Sequence, residues 1–176
     1  MDVVMMTCVA SAAQGGATRV VAAADVIDGL SPRARETLSK PVPFSCKDEW
    51  IPEWGAHREG AAPMIAHDEL GRPTLQFAVI LRKNVEHALQ DDAMSVDKAF
   101  ATDVRSALDE IEMVANDEGV FSRLLLGPGD LILLDNRRFL HARDGFEDDT
   151  THQRLLLRYW LRTREPDAIE ALFNGR

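Results

Sequence analysis

GPGDLILLDNRRFLHARDGF, residues 127–146, is the stretch on which the reading of this chain turns. Leu131 to Leu134 form an apolar run behind a GPGD turn, and a polar DNRR corner separates them from Phe139, Leu140 and a single His141. A turn marked by glycine and proline that opens into such a run predicts a buried strand. In a small barrel that strand would direct alternate side chains to the interior. The histidine beyond the corner is then either a surface residue or part of a site. Downstream, RLLLRYWLR (154–162) reads as a second apolar strand, with Arg154 and Arg158 four residues apart and therefore on one face. Two guanidinium groups on one face of a buried-type strand require anionic partners. Ion pairs with the chain's own carboxylates and a site for an anionic ligand both meet that requirement.

Composition bounds the choice. The chain has 176 residues, the size of one domain with a sizeable core, so a single domain over residues 1–176 is expected. Its 45% hydrophobic and 28% charged residues are those of a globular chain. A formal net charge of -9 and a pI near 5.0 argue against nucleic acid or an anionic membrane surface as partner, since both need a basic footprint. The two cysteines, Cys8 and Cys46, form no CxxC or paired Cys/His spacing, so neither a zinc site nor a disulfide framework is expected. A reducing, cytoplasmic setting follows. VVMMTCVASAA (3–13) has the length of a secretory apolar region but lacks a basic segment ahead of it, and it reads as a buried strand. No run approaches the roughly 18 apolar residues of a membrane span.

The remaining elements suggest one mixed domain without repeats. Gln14 to Gly16 predict a turn, Thr18 to Ala22 a strand, and residues 25–40 a short helix in which Ser31 and Pro32 mark a helix start. Residues 41–63, with Pro41, Pro43, Pro52, Pro63, Trp50 and Trp54, predict a long loop or irregular strands, suited to a lid. Residues 69–73 predict a turn and 74–81 a strand. Over 98–117, Phe100, Val104, Leu108, Ile111 and Val114 recur at three and four, which predicts a helix with one buried face. Further strands are expected at 120–126, 130–134 and 154–161. Short strands with segregated helices point to an antiparallel α+β fold, mainly β, of barrel or jelly-roll type.

GPGDLILLDNRRFLHARDGF followed by RLLLRYWLR resembles the C-terminal half of the taurine dioxygenase and clavaminate synthase-like family, the Fe(II)/2-oxoglutarate-dependent oxygenases. QGGATRV (14–20) is similar to that family's GGxT segment, and the order of elements matches over nearly the whole chain. The resemblance implies a double-stranded β-helix (jelly roll) with flanking helices. It implies Fe(II) as metal, 2-oxoglutarate as cosubstrate, and hydroxylation of a small-molecule substrate, an amino acid or derivative. By the same resemblance His141 matches the distal histidine of a triad of two histidines and one carboxylate. Arg154 matches the arginine that takes the far carboxylate of 2-oxoglutarate, a task suited to the planar guanidinium fork. Thr18 matches the hydroxyl that shares that carboxylate. Arg158 would reach the cosubstrate or a substrate carboxylate, while Asp135, Asn136 and Arg137 would brace the corner.

One element of the pattern is missing. The family's HxD or HxE pair precedes GGxT, and no histidine occurs ahead of Thr18. His67 and Glu69 have HxE spacing, but they follow GGxT and sit beside a turn, which makes them a poor substitute. His152 reads as a loop residue. Two expectations follow: a partial oxygenase domain lacking its N-terminal segment, or a non-catalytic relative that binds an anion or a partner. A core strand beginning near Met1 would leave a sheet edge exposed and open to homo-oligomerisation.

Overall fold

The computed structural model describes residues 3–46 and 59–161. The chain divides into two compact units, one formed by Met1–Ala23 and Asp117–Arg176, the other by Ala24–Asn116. It opens with strands β1 (Val3–Ala10), β2 (Gln14–Gly15) and β3 (Thr18–Ala22). Helices α1 (Ala23–Gly29) and α2 (Pro32–Ser39) follow, then β4 (Val42–Ser45), β5 (Glu59–Ala62), β6 (Ile65–His67), β7 (Pro73–Leu75), α3 (Val79–Gln90) and α4 (Lys98–Ala115). The chain then returns to strands: β8 (Ser122–Leu124), β9 (Leu131–Asp135), β10 (Phe139–Arg143), β11 (Phe146–Glu147) and β12 (Leu155–Leu161). Strands outnumber helices, and every pairing among the described residues is antiparallel.

The strand-rich unit contains two three-stranded sheets, ordered β12-β1-β9 and β10-β3-β8. Alternation along β1 puts Val4, Met6 and Cys8 on one face, and all three are buried. Val4 and Met6 form a cluster with Leu134, against which Val20, Ile132, Phe139 and Leu156 pack. Val20 and Phe139 belong to the second sheet, so the two sheets share an apolar layer. The GPGD turn seats β9 beside β1: the Cys8 amide donates to the Asp130 carbonyl at 2.9 Å, and the Gly129 amide to the Cys8 carbonyl at 2.9 Å. β12 is an edge strand with Leu155, Leu157, Tyr159, Trp160 and Leu161 exposed.

In the other unit, α4 buries Ala101, Val104, Ala107, Leu108, Ile111 and Val114. This matches the expected stripe except at Phe100, which is only half-buried, its place taken by small alanines. The helix expected over 25–40 is two helices, because Ser31 caps α2 afresh in extended backbone with Pro32 behind it. The strand expected over 74–81 ends at Leu75, and α3 begins at Val79. Val79, Ile80 and Leu81 favour strands by residue type, but Asn84, Val85 and Ala88 extend a helical face that is buried. Part of the expected 41–63 loop pairs as β4 with β5, whereas Trp50, Trp54, His57 and Arg58 lie outside the described residues.

Ser31 joins α2 to α4. Its Oγ accepts from the Ala34 amide at 3.2 Å, while its amide and hydroxyl donate to Glu110 at 2.9 and 3.0 Å. Ser31→Ala removes the cap and one of the two bonds to Glu110. The expected cost is about 1–2 kcal/mol, seen as a lower urea midpoint with unchanged slope.

Candidate functional site

The site is positioned by the pairing of β10 with β3. In this register His141 lies opposite Val20, Arg143 opposite Thr18 and Phe139 opposite Ala22. Directly paired residues project to the same side of a sheet. Because Val20 and Phe139 pack on the inner apolar layer, His141, Arg143 and Thr18 face inward with them. On the facing sheet Arg158 pairs with Met6 and Trp160 with Val4, which puts Arg158 on the inner side as well. Arg154, four residues earlier, stands just before β12 on the same side.

His141, beyond the polar corner, is therefore a residue of strand β10. The corner before it is braced by Asp135, which is 3% exposed and accepts from the Arg137 amide at 3.1 Å. The Arg138 amide donates to the Asp135 carbonyl at 3.0 Å and closes the turn. Thr18 is buried at 4% exposure, Arg154 and His141 are half-buried, and Arg158 and Arg143 are exposed. Arg154 Nη2 donates to the Gly16 carbonyl at 3.3 Å, two residues before Thr18. Its guanidinium lies 5.4 Å from the Phe146 ring centre, and Arg143 lies 4.5 Å from the same ring. Arg158 stands 4.8 Å over Trp160.

Charge is segregated between the two sides of the β10-β3-β8 sheet. Outward-facing Arg19 and Arg123 both reach Asp144 at 2.9 Å, and Arg123 also reaches Glu118 at 2.8 Å. Hydrogen bonds that Arg123 donates first to Glu118 and then to Asp144 hold its guanidinium well above the usual arginine range. Inward-facing Arg143, Arg154 and Arg158 have no carboxylate within ion-pair distance among the described residues. The Arg154 pKa is lowered, first by burial and then by Arg143, which exceed the opposing influence of Cys8 and Asp148. A buried cation beside a second cation is relieved by an incoming anion.

Two glycines make room for this arrangement. Gly15 and Gly16 have φ of 72° and 75°, a region that costs other residues strain. A Cβ at Gly16 would lie 2.9 Å from Arg154 Nε and 3.2 Å from Phe146 Cβ, and one at Gly15 would lie 2.4 Å from the Gly145 carbonyl oxygen. The GG of the GGxT segment is thus needed for the approach of Arg154.

The iron ligands are another matter. Among the described residues, no group of three His, Cys, Asp or Glu side chains could hold a metal ion. His67 and Glu69 are both exposed. His57 and Glu59 also have HxE spacing and also follow Thr18; His57 lies outside the described residues, and Glu59 accepts from Ser45 Oγ at 3.4 Å. No helix among the described residues is long and apolar enough to cross a membrane.

Residues 1–160 match the taurine catabolism dioxygenase TauD, TfdA family. The chain belongs to that family. Among solved structures it is similar to an asparagine oxygenase in complex with Fe(II), 2S,3S-3-hydroxyasparagine and succinate, at 22% identity and a TM-score of 0.63, covering 89% of this chain and 44% of that one. It is also similar to the non-heme iron oxygenase OrfP in complex with Fe and alpha-ketoglutaric acid, at 21% identity and a TM-score of 0.57, covering 89% and 43%. A further OrfP complex, with Fe, succinate and (3S)-hydroxy-L-Arg, gives 20% identity and a TM-score of 0.58, covering 89% and 47%. At these identities the likeness is one of fold, and the TauD-like chain spans less than half the length of each of these structures. No curated protein matches it.

Two outcomes follow from the geometry. Gly16→Ala should cost about 1–2 kcal/mol through backbone strain and displace Arg154, so that a crystal structure of the variant shows the guanidinium moved from the Gly16 carbonyl. The His141 pKa is lowered from its ordinary 6.5, first by burial and then by Arg158. The folded chain therefore binds this proton less readily than the unfolded chain. Stability is fully present above about pH 6.5 and declines as pH falls through the folded-state value. The urea midpoint should drop between about pH 7.5 and about pH 5, and drop less in His141→Gln.

Proposed function

We propose that this chain forms the cosubstrate-binding part of an Fe(II)- and 2-oxoglutarate-dependent dioxygenase, built as a double-stranded β-helix, that hydroxylates a small molecule of the amino-acid class. The observation that carries this reading is the set of inward guanidinium groups without carboxylate partners, clustered with a buried threonine and a half-buried histidine. Membership of the TauD, TfdA family supports reading that cluster as a cosubstrate site. Arg154 would take the far carboxylate of 2-oxoglutarate through its planar fork, with the Thr18 hydroxyl as a further donor. Arg158, on the same inner side and exposed, is placed for a carboxylate of the cosubstrate or of an amino-acid substrate. The hydroxyasparagine and hydroxyarginine present in the similar structures agree with a substrate of that kind.

His141 would supply one imidazole to the metal. The depressed pKa keeps that imidazole neutral near pH 7, the form with a lone pair to donate. The described residues do not complete the donor set, so the other ligands of an iron site would come from outside them. When bound, iron with 2-oxoglutarate supplies the oxidising power of this enzyme class. The contribution of this chain is recognition: it holds the dicarboxylate at one end and presents His141 at the other.

A second reading, a non-catalytic anion-binding relative, is favoured by the lack of a metal-holding cluster among the described residues. One set of measurements separates the two. The purified 176-residue chain should bind succinate and 2-oxoglutarate but hold Fe(II) weakly, and should show no turnover. Joined to a segment carrying an HxD or HxE pair, it should retain iron and decarboxylate 2-oxoglutarate, and His141→Ala should abolish both. Failure of the joined protein to gain iron would favour the binding role, whereas robust turnover by the 176-residue chain alone would refute both readings as stated.

A further inference from the structure

We propose that Arg143 is a second anion-binding guanidinium of the dicarboxylate pocket, acting with Arg154 across the Phe146 ring; this rests on the anion-site reading above and extends it to a residue outside the matched motif. Register puts Arg143 directly opposite Thr18, the buried hydroxyl of the pocket. It lies two residues beyond His141 on the same strand, hence on the same inner face. Its guanidinium stands 4.5 Å from the centre of the Phe146 ring, which Arg154 approaches to 5.4 Å. One aromatic ring therefore holds two cations near each other.

Phe146 is in turn fixed by the backbone. It pairs with Gly15 in the short β2-β11 ladder, and the Gly16 amide donates to the Gly145 carbonyl at 3.0 Å. Neither Arg143 nor Arg154 has a carboxylate within ion-pair distance among the described residues, although the neighbouring Asp144 is taken by Arg19 and Arg123 on the other face. A cation–π contact orients a guanidinium without neutralising it. The positive charge of both arginines is thus left for a ligand. Arg154 is half-buried and Arg143 exposed. Their order from the interior outward fits a carboxylate that enters past Arg143 and settles on Arg154. The ligand class that this predicts is a short dicarboxylate, since the carboxylate at this end must be joined to a second anionic group reaching toward His141 and Arg158.

The test uses the 176-residue chain without metal and reads ligand binding by NMR titration with succinate, 2-oxoglutarate and the monocarboxylate pyruvate. In wild type, succinate and 2-oxoglutarate should bind more tightly than pyruvate. Arg154→Gln should abolish the preference. Arg143→Gln should weaken both dicarboxylates by about 5- to 20-fold and leave pyruvate nearly unchanged, and Arg143→Lys should recover part of the loss because charge is kept. Thermal melts of each variant report folding. Dicarboxylate binding that Arg154→Gln abolishes but Arg143→Gln leaves intact would overturn the role of Arg143 and leave the anion-site reading standing. A loss in Arg143→Gln that Arg143→Lys fails to restore, together with a lowered melting temperature, would also overturn it. No preference for dicarboxylates in well-folded wild type would overturn the anion-site reading itself.

Discussion

The antiparallel register between β3 and β10 is the constraint on which the site depends. It sets His141 against Val20 and Arg143 against Thr18. Because side chains alternate with a period of two, a slip of one residue would send His141 and Arg143 outward and bring Arg138, Leu140 and Ala142 in. The register is held from several directions. Phe139 and Val20 pack on Val4, Met6 and Leu134, and the Ala23 amide donates to the Arg138 carbonyl at 2.7 Å at one end of the pair. At the other end the Asp144 amide donates to the Ala17 carbonyl at 2.9 Å. Apolar packing and end clamps act on the same alignment, so the polar cluster inherits a geometry that it does not itself stabilise.

That cluster works against the fold. Three guanidinium groups lie on the inner side of two facing sheets, and the Arg154 pKa is depressed, first by burial and then by the neighbouring Arg143. With 29 acidic residues the chain does not lack carboxylates to neutralise them. It places them elsewhere: Asp144 serves outward Arg19 and Arg123, and Asp148 accepts from the Arg154 backbone amide at 2.9 Å rather than from its side chain. Local consistency of sequence with structure breaks down at this cluster, which is where functional sites are expected to break it. The aromatic partners, Phe146 and Trp160, orient the cations while leaving their charge available.

Much of this was legible in the sequence, for physical reasons that differ between elements. β1, β3, β9 and β12 announced themselves through apolar runs, those of β3 and β9 entered from glycine or proline turns, and α4 through a stripe at three and four. The Ser31-Pro32 start was read correctly, yet its position inside the expected helix, which splits it in two, was not. The 74–81 stretch misled because β-branched and large aliphatic residues at Val79 to Leu81 describe a strand when taken singly; only the period beyond them, to Val85 and Ala88, describes a helix. β10 was hidden because the polar DNRR corner ends the apolar run, and only Phe139 and Leu140 stand between it and His141. The alternative of ion pairs or an anion site for Arg154 and Arg158 could not be decided from spacing, because facing partners come from strands far away in the chain. Arg143 was overlooked for the same reason: its meaning depends on Thr18 and Phe146, which the sequence does not show to be neighbours.

The proposed anion pocket and a metal site at His141 would be physically separable, because they rest on different side chains. The proposed pocket draws its residues from β3, β10 and the start of β12, all within the strand-rich unit. A charge-assisted hydrogen bond contributes about 1.5–3 kcal/mol net, so two guanidinium groups on one carboxylate supply roughly 3–6 kcal/mol. Several kcal/mol of that is offset by the lost freedom of the ligand. The balance corresponds to binding no tighter than about millimolar, where 1 mM is about 4 kcal/mol. A bound metal would add a chelating contact at the oxo-acid end, and the two contacts would act on one ligand whose freedom is lost only once. On the proposed reading the pocket by itself would select by charge and length, and strong retention of 2-oxoglutarate would depend on completing a metal donor set around His141.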